Sequence, residues 1–302
     1  MVFSMKNFRL STLNYFWSTI NLELEGTANG NLELDGGFEN QVFSTDLSVD
    51  NMMLNEQDFG KLKLNTFFKK SSKVINVNLS VKNKMNNFNN LTIDGYYYPY
   101  ERGKIDMKAD LKNTELKFLE RYFNGVFSNF KGGKSSGVLA IQGSIKHPLF
   151  KGKLNVDHLR FKVDYLNVTY GVDAQNLNFD KDYIWFKNFT ITHDLHPKSK
   201  AKVNGFVDLN GFKNISYQMD SVFLEQFYCL NTTVKENSTF FGQAYVDGLL
   251  QLRGNGKNHF IGGSVYTTKS TKYDVFKNKY ITVASELELP LDQAEDLEIS
   301  EF

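Results

Sequence analysis

The chain has 302 residues, enough for about two ordinary domains or for one regular architecture running through without a break. Its 35 Lys+Arg against 34 Asp+Glu leave a formal charge of +1, so composition supplies no global basic field and nucleic acid is not expected as a partner. Cys229 is the single cysteine, which excludes an intrachain disulfide and a cysteine-based metal knuckle, while only 4 prolines and 22 glycines favour continuous sheet with tight corners.

In chain order, Asn7 to Phe16 has apolar residues at helical spacing and predicts a short helix. The apolar stretch Leu13 to Leu22 is interrupted by Asn14, Ser18, Thr19 and Asn21, short of the ~20 apolar residues of a membrane span, so neither signal peptide nor anchor is read in the chain as written. From there period-two alternation dominates, as in Ile75-Asn-Val-Asn-Leu79-Ser-Val81 and Ile105-Asp-Met-Lys-Ala109-Asp-Leu111, and reads as half-buried strands. Tyr96, Tyr97, Tyr98 and Tyr100 read as a strand end shielding a sheet edge. Asn113 to Phe123 predicts a second helix, with Leu116, Leu119, Tyr122 and Phe123 on one side and Asn113 or Thr114 as N-cap. Strands follow around Leu154–Val156, Phe161–Val163, Ile184–Phe186, Ala201–Val203, Ile215–Met219 and Leu250–Leu252, with a third, weaker helix over Ser221 to Leu230.

A long repeat underlies these elements. Gly30-Asn-Leu-Glu-Leu-Asp-Gly36 lies over Gly137-Val-Leu-Ala-Ile-Gln-Gly143 at an offset of about 107 residues, and Lys6-Asn7 falls near Lys112-Asn113. A third copy begins at Gly248-Leu-Leu-Gln-Leu-Arg-Gly254, about 111 residues further on. The expected organisation is one continuous β region over residues 1–302, with approximate repeats 5–110, 111–219 and 220–302, the last incomplete. The expected fold is mostly β, a long curled antiparallel or mixed sheet with an open hydrophobic groove and a few short helices. Some twenty strands at ~4.8 Å spacing would extend about 100 Å, and such a sheet must twist and curl. On this reading Leu32, Leu34, Leu139, Ile141, Val156, Val163, Val203, Leu250 and Leu252 hold the apolar phase of their strands and point into the groove.

No catalytic constellation is read. His193-Asp-Leu-His196 has two imidazoles three apart, but Pro197 and the preceding Phe189-Thr-Ile191 place it in a loop, read as a solvated turn rather than a metal site. Cys229 is expected to be a small buried thiol in the third helix. The acids Glu295, Asp296, Glu298 and Glu301 read as a solvated loop. No paired acids project from strands as a glycosidase would require, so the chain is not expected to be an enzyme and no cofactor or metal is expected.

The run Gly137-Val-Leu-Ala-Ile-Gln-Gly143-Ser-Ile-Lys-His-Pro148-Leu-Phe-Lys-Gly152-Lys-Leu-Asn-Val resembles the strand pair of the TamB/AsmA-like family, the translocation and assembly module subunits of diderm bacteria. Tyr165-Leu-Asn-Val-Thr-Tyr170, Ile184-Trp-Phe186, Ala201-Lys-Val-Asn-Gly205 and Phe240-Phe-Gly242 follow the family's order. The resemblance is strongest from Gly137 to Tyr266 and implies a β-taco in the periplasm that moves phospholipids between inner and outer membranes and supports outer-membrane protein assembly or secretion. It also implies an inner-membrane anchor and a C-terminal part that meets an outer-membrane assembly barrel, and the chain is expected to be a partial member lacking both. The competing reading is an extracellular or cell-surface β-repeat adhesin without lipid transport. Against it, the inner positions are Leu, Ile, Val and Phe rather than polar ladders.

Overall fold

A computed structural model describes residues 2–17, 23–35, 42–69, 71–82, 89–117, 120, 127–212, 214–236, 240–255 and 258–275. The protein is mostly β, a large antiparallel sheet. The described residues form seventeen strands: β1 (Val2–Arg9), β2 (Leu24–Asp35), β3 (Val42–Leu54), β4 (Gln57–Lys69), β5 (Val74–Lys82), β6 (Asn89–Tyr98), β7 (Lys104–Glu115), β8 (Phe127–Ser144), β9 (His147–Val163), β10 (Val168–Val172), β11 (Gln175–Lys181), β12 (Tyr183–Thr192), β13 (Lys200–Asp208), β14 (Ser216–Thr232), β15 (Phe240–Asn255), β16 (His259–Thr267) and β17 (Lys272–Val275). Helical structure among them includes a 3-10 turn Leu10–Leu13, the helix α1 (Asn14–Trp17) and a 3-10 turn Asn210–Phe212, with Lys117 and Glu120 also in 3-10 conformation. None is long and apolar enough to cross a membrane.

The chain divides into two units. The first comprises Met1–Tyr122, Lys134–Asn155 and Phe179–Asp182, and it is an antiparallel meander in which each strand from β1 to β8 pairs with the next. The second comprises Phe123–Gly133, Val156–Asn178 and Tyr183–Phe302, with antiparallel pairs β9–β10, β10–β12, β12–β13, β13–β14, β14–β15, β15–β16 and β15–β17.

One local device recurs in both units. Lys6-Asn7, Lys112-Asn113, Lys187-Asn188 and Glu225-Gln226 each sit where the ladder slips, and the second residue of each pair is left-handed, with φ of 53°, 51°, 47° and 42°. Each is a β-bulge, in which an extra residue on one strand opposes a single residue on the next. The bulged N–H points away from the ladder and donates to the side chain opposite: Asn7 to Asn29 Oδ1 at 2.8 Å, Asn113 to Ser136 Oγ at 2.9 Å, Asn188 to Asn204 Oδ1 at 2.8 Å and Gln226 to Asp247 Oδ1 at 2.6 Å. In every case the accepting residue precedes a glycine: Gly30, Gly137, Gly205 and Gly248. A Cβ on Gly137 would stand 2.2 Å from the Lys153 carbonyl oxygen at φ 147°, so only glycine fits. Three of the four latches fall at the positions aligned by the 107- and 111-residue offsets.

The bulges also correct the predicted helices. Ser221 to Leu230 is strand, inside β14. Asn7 to Arg9 closes β1, and helical turns begin only at Leu10. Asn113 to Glu115 closes β7; of the remainder, Leu116, Lys117 and Glu120 are described, and the other residues up to Phe123 lie outside the described set. Tyr96 to Tyr98 end β6, but β6 is paired on both sides, by β5 and β7, so they shield no edge.

Candidate apolar binding face

Register converts the period-two pattern of the first unit into rows that run across its strands. One row is Ala28, Val49, Leu62, Val81, Leu91 and Leu111; the next is Leu47, Leu64, Leu79, Ile93, Ala109 and Leu139. A third holds Leu32, Val77, Met107 and Ile141, interrupted by Thr45, Thr66 and Gly95. The intervening positions are polar in most strands, for example Ser48, Lys63, Ser80, Thr92 and Asp110 in one row. One face is therefore apolar and the other wet, as alternation requires.

This apolar face is incompletely covered. Val49, Val81, Ala109 and Leu139 are buried, but Leu47, Leu62, Leu64, Val77, Leu79, Leu91, Ile93, Met107 and Ile141 are only half-buried. At one side Leu10 and Leu13 from the first 3-10 turn pack over Ala28 and Val49. Phe150 and Phe179 pack against the cluster of Ala109, Leu139 and Leu154, with their ring centroids 6.4 Å apart. At one strand end Gln57, itself buried, donates from Nε2 to the Glu115 carbonyl oxygen at 3.1 Å. Gln57 opens β4 and Glu115 ends β7, three strands away, a separation of ~14 Å in a flat sheet. The sheet of this unit is curled at that end, and its apolar face is concave there.

The second unit treats the same pattern differently. Val203, Val222 and Leu250 form one cross-strand row and Met219 and Leu252 the next. Val203 and Val222 are buried while Leu250 and Leu252 are half-buried. Val156 is 4% exposed, a packed position rather than an open lining one. Val163 packs against a cluster of Val168, Tyr170 and Tyr228. Of the expected lining set, Leu32, Leu139 and Ile141 thus share the face of the first unit, and Val203, Leu250 and Leu252 a face of the second. The side chain of Leu34 lies outside the described residues.

Sequence reasoning missed the cluster that fills part of the second unit. His193 is buried, not solvated, and belongs with His196, Tyr170, Tyr228 and Tyr245 to one packed aromatic group. The Phe227 ring stacks on Tyr170 at 4.9 Å, and Tyr228 stacks on Tyr245 at 4.6 Å. Tyr170 donates its hydroxyl to the Tyr228 carbonyl at 2.7 Å. Both imidazoles have partners, His193 Nδ1 accepting the Leu195 N–H at 3.2 Å and His196 meeting the Tyr245 hydroxyl at 3.2 Å. Burial, then the neighbouring His196, lowers the pKa of His193. Burial pushes the Tyr228 hydroxyl up to about 12 and the Cys229 thiol up to about 11. Cys229 lies in β14 and not in a helix. The available signal was the spacing of three tyrosines on three strands with His-x-x-His between, which only register brings together.

Among the described residues, Asp157, His158 and Asp173 bring possible metal-ligand atoms within 4.8 Å of one another. Their lone pairs are already used. Asp157 accepts from the Ala174 N–H at 2.8 Å, which holds its carboxyl below the usual range, and Asp173 takes Arg160 in a two-point pair at 2.9 and 3.0 Å. A guanidinium in that place makes this group an ion-pair corner. The acids at Glu295, Asp296, Glu298 and Glu301 lie outside the described residues.

Compared with known proteins, the chain matches no family model, no curated protein and no solved structure.

Proposed function

We propose that the chain is part of a periplasmic lipid-carrying scaffold, and that the apolar face of its first unit holds the acyl chains of phospholipids on their way between inner and outer membranes. The observation that carries this reading is the half-burial of Leu47, Leu64, Leu79, Ile93, Met107 and Ile141 on one face. In a sheet packed against a second layer such residues would be fully buried; left open, they leave an apolar surface in need of a partner. Hydrocarbon suits it, because each CH₂ withdrawn from water contributes about 0.8 kcal/mol and the rows of Leu, Ile and Val offer no preferred stopping point. Support for outer-membrane protein assembly, through an assembly barrel, belongs to the same proposal and rests on the resemblance of Gly137–Tyr266 to the TamB/AsmA-like family.

The reading is tested by a photo-crosslinking residue at Ile141 or Leu64, with Gln142 and Lys63 as opposite-face controls, in cells with two membranes. Phospholipid adducts confined to the first pair support it. Equal labelling at both pairs, or none at either in a folded protein, removes it.

A further inference from the structure

The near-zero net charge of the chain conceals a local cluster of cations in the first unit. The turns β4–β5, β6–β7 and β8–β9 lie at the same end of an antiparallel meander, and they carry Lys69, Lys73, Arg102, Lys104 and Lys146. Among the described residues of these turns the acid is Glu101, which pairs with Lys104 at 3.2 Å; at the margin Asp182 holds His147 at 2.8 Å, and Asp35 ends β2 at the same strand end.

The three turns form one continuous surface. Ile145 donates its N–H to the Gly103 carbonyl at 2.9 Å, joining the second turn to the third, and Lys73 Nζ stands 5.9 Å from the Tyr100 ring, joining the first to the second. Lys104 Nζ lies 4.9 Å from the Tyr98 ring. Apolar and aromatic groups stand among the cations at full reach of solvent, with Ile145 62% and Tyr100 46% exposed. Exposed lysines alone would read as a solubilising rim. Lysine and tyrosine interleaved, with an isoleucine at the tip, are the composition of a surface that sits at the headgroup level of a bilayer, where ammonium groups meet phosphates and amphipathic rings sit between water and hydrocarbon.

We infer that this turn end of the first unit docks on an anionic phospholipid surface. Charge complementarity selects the occupant: Lys69, Lys73, Arg102, Lys104 and Lys146 are all exposed, and Glu101, the acid among the described residues of these turns, is already paired to Lys104. The inference goes beyond lipid carriage, since docking requires no lipid in the apolar face, and the two can fail separately.

The test is co-sedimentation of the chain with phosphatidylethanolamine vesicles with and without phosphatidylglycerol, at low and high salt. Binding only to the anionic vesicles, weakened by salt, is expected. Each cation near an anionic surface contributes a factor of about five, so Lys73→Glu with Lys146→Glu should weaken binding at least about 25-fold. Both lysines are on exposed turns, and an unchanged circular dichroism spectrum shows that the sheet is intact. Ile145→Ser should weaken binding to the same vesicles without altering its salt dependence. Wild-type protein that stays in the supernatant with anionic vesicles, or a double charge reversal that binds as tightly as wild type, overturns the inference. So does salt-sensitive binding to a soluble polyanion without binding to vesicles.

Discussion

The backbone N–H of Asn113 donates to Ser136 Oγ at 2.9 Å across β7 and β8, and the next residue, Gly137, occupies a conformation that admits no side chain. Bulge, acceptor and glycine act together: the extra residue twists the strand, the acceptor satisfies the amide that the twist frees, and the glycine lets the neighbouring backbone close in. Ser136→Ala should therefore cost about 1 kcal/mol, the usual price of one unmade hydrogen bond at a half-open site. Gly137→Ala should cost on the order of 3 kcal/mol, since strain at positive φ is joined by a clash with the Lys153 carbonyl. Urea unfolding midpoints check both, and an unshifted midpoint for Gly137→Ala would show that the close approach is not structural.

On the apolar face, Val77 and Ile141 are half-buried members of one row and can accept substitution without opening a packed core. Val77→Asp with Ile141→Asp should abolish lipid crosslinking at Leu64 in a chain that still unfolds cooperatively in urea, at a cost in stability of about 1–3 kcal/mol. Lipid adducts of undiminished yield in the folded double variant would count against lipid carriage on this face.

His193 predicts a pH dependence whose sign follows from its burial. Its folded pKa lies below the ordinary ~6.5, so as pH falls the unfolded chain takes up the proton before the folded one does. Stability from this residue is full above about pH 7 and declines as pH drops through ~6.5 toward the folded value. The groups facing it are Tyr170, Tyr228 and His196, with Asp194 alongside. In His193→Phe, which keeps the ring packing, the decline between pH ~7 and ~5.5 should flatten. A variant with the wild-type slope in thermal melts across that range would assign the effect elsewhere.

The thiol of Cys229, pushed up to about 11 by burial, should be almost wholly protonated at neutral pH and shielded by its neighbours in β14. Iodoacetamide at pH 8 should alkylate it at least about tenfold more slowly in the folded chain than in urea. Equal rates would mean that the strand opens freely on the reaction's timescale.

The strands are legible because alternation survives wherever the ladder is regular: Ile75 to Val81 and Ile105 to Leu111 read as strands and lie within β5 and β7. The third helix, and the first residues of the other two, differ from the structure for one physical reason. A bulge inserts a residue, so the apolar phase skips from Met5 to Phe8, from Leu111 to Thr114 and from Leu224 to Phe227, and a spacing of three imitates a helix turn. Each of the three predicted helices contains such a bulge, at Asn7, Asn113 and Gln226. The sign of the interior phase was legible for Leu32, Leu139 and Ile141. Whether a phase is left open, as at Ile141, or packed shut, as at Val156, depends on what lies across from it, and period alone carries no such information. The clustering of cations at one set of turns was likewise hidden, because Lys73, Arg102 and Lys146 are far apart in sequence and meet only through the meander.

The contact between Gln57 and Glu115 gives the first unit an asymmetry along its strands. Where β4 and β7 converge the face is pinched, and toward the turns at Lys73, Gly103 and Ile145 the strands are spaced by their ladders alone. If the face carries lipid as proposed, an acyl chain on it meets a narrower end and a wider one, with the cation-bearing turns at the wider end.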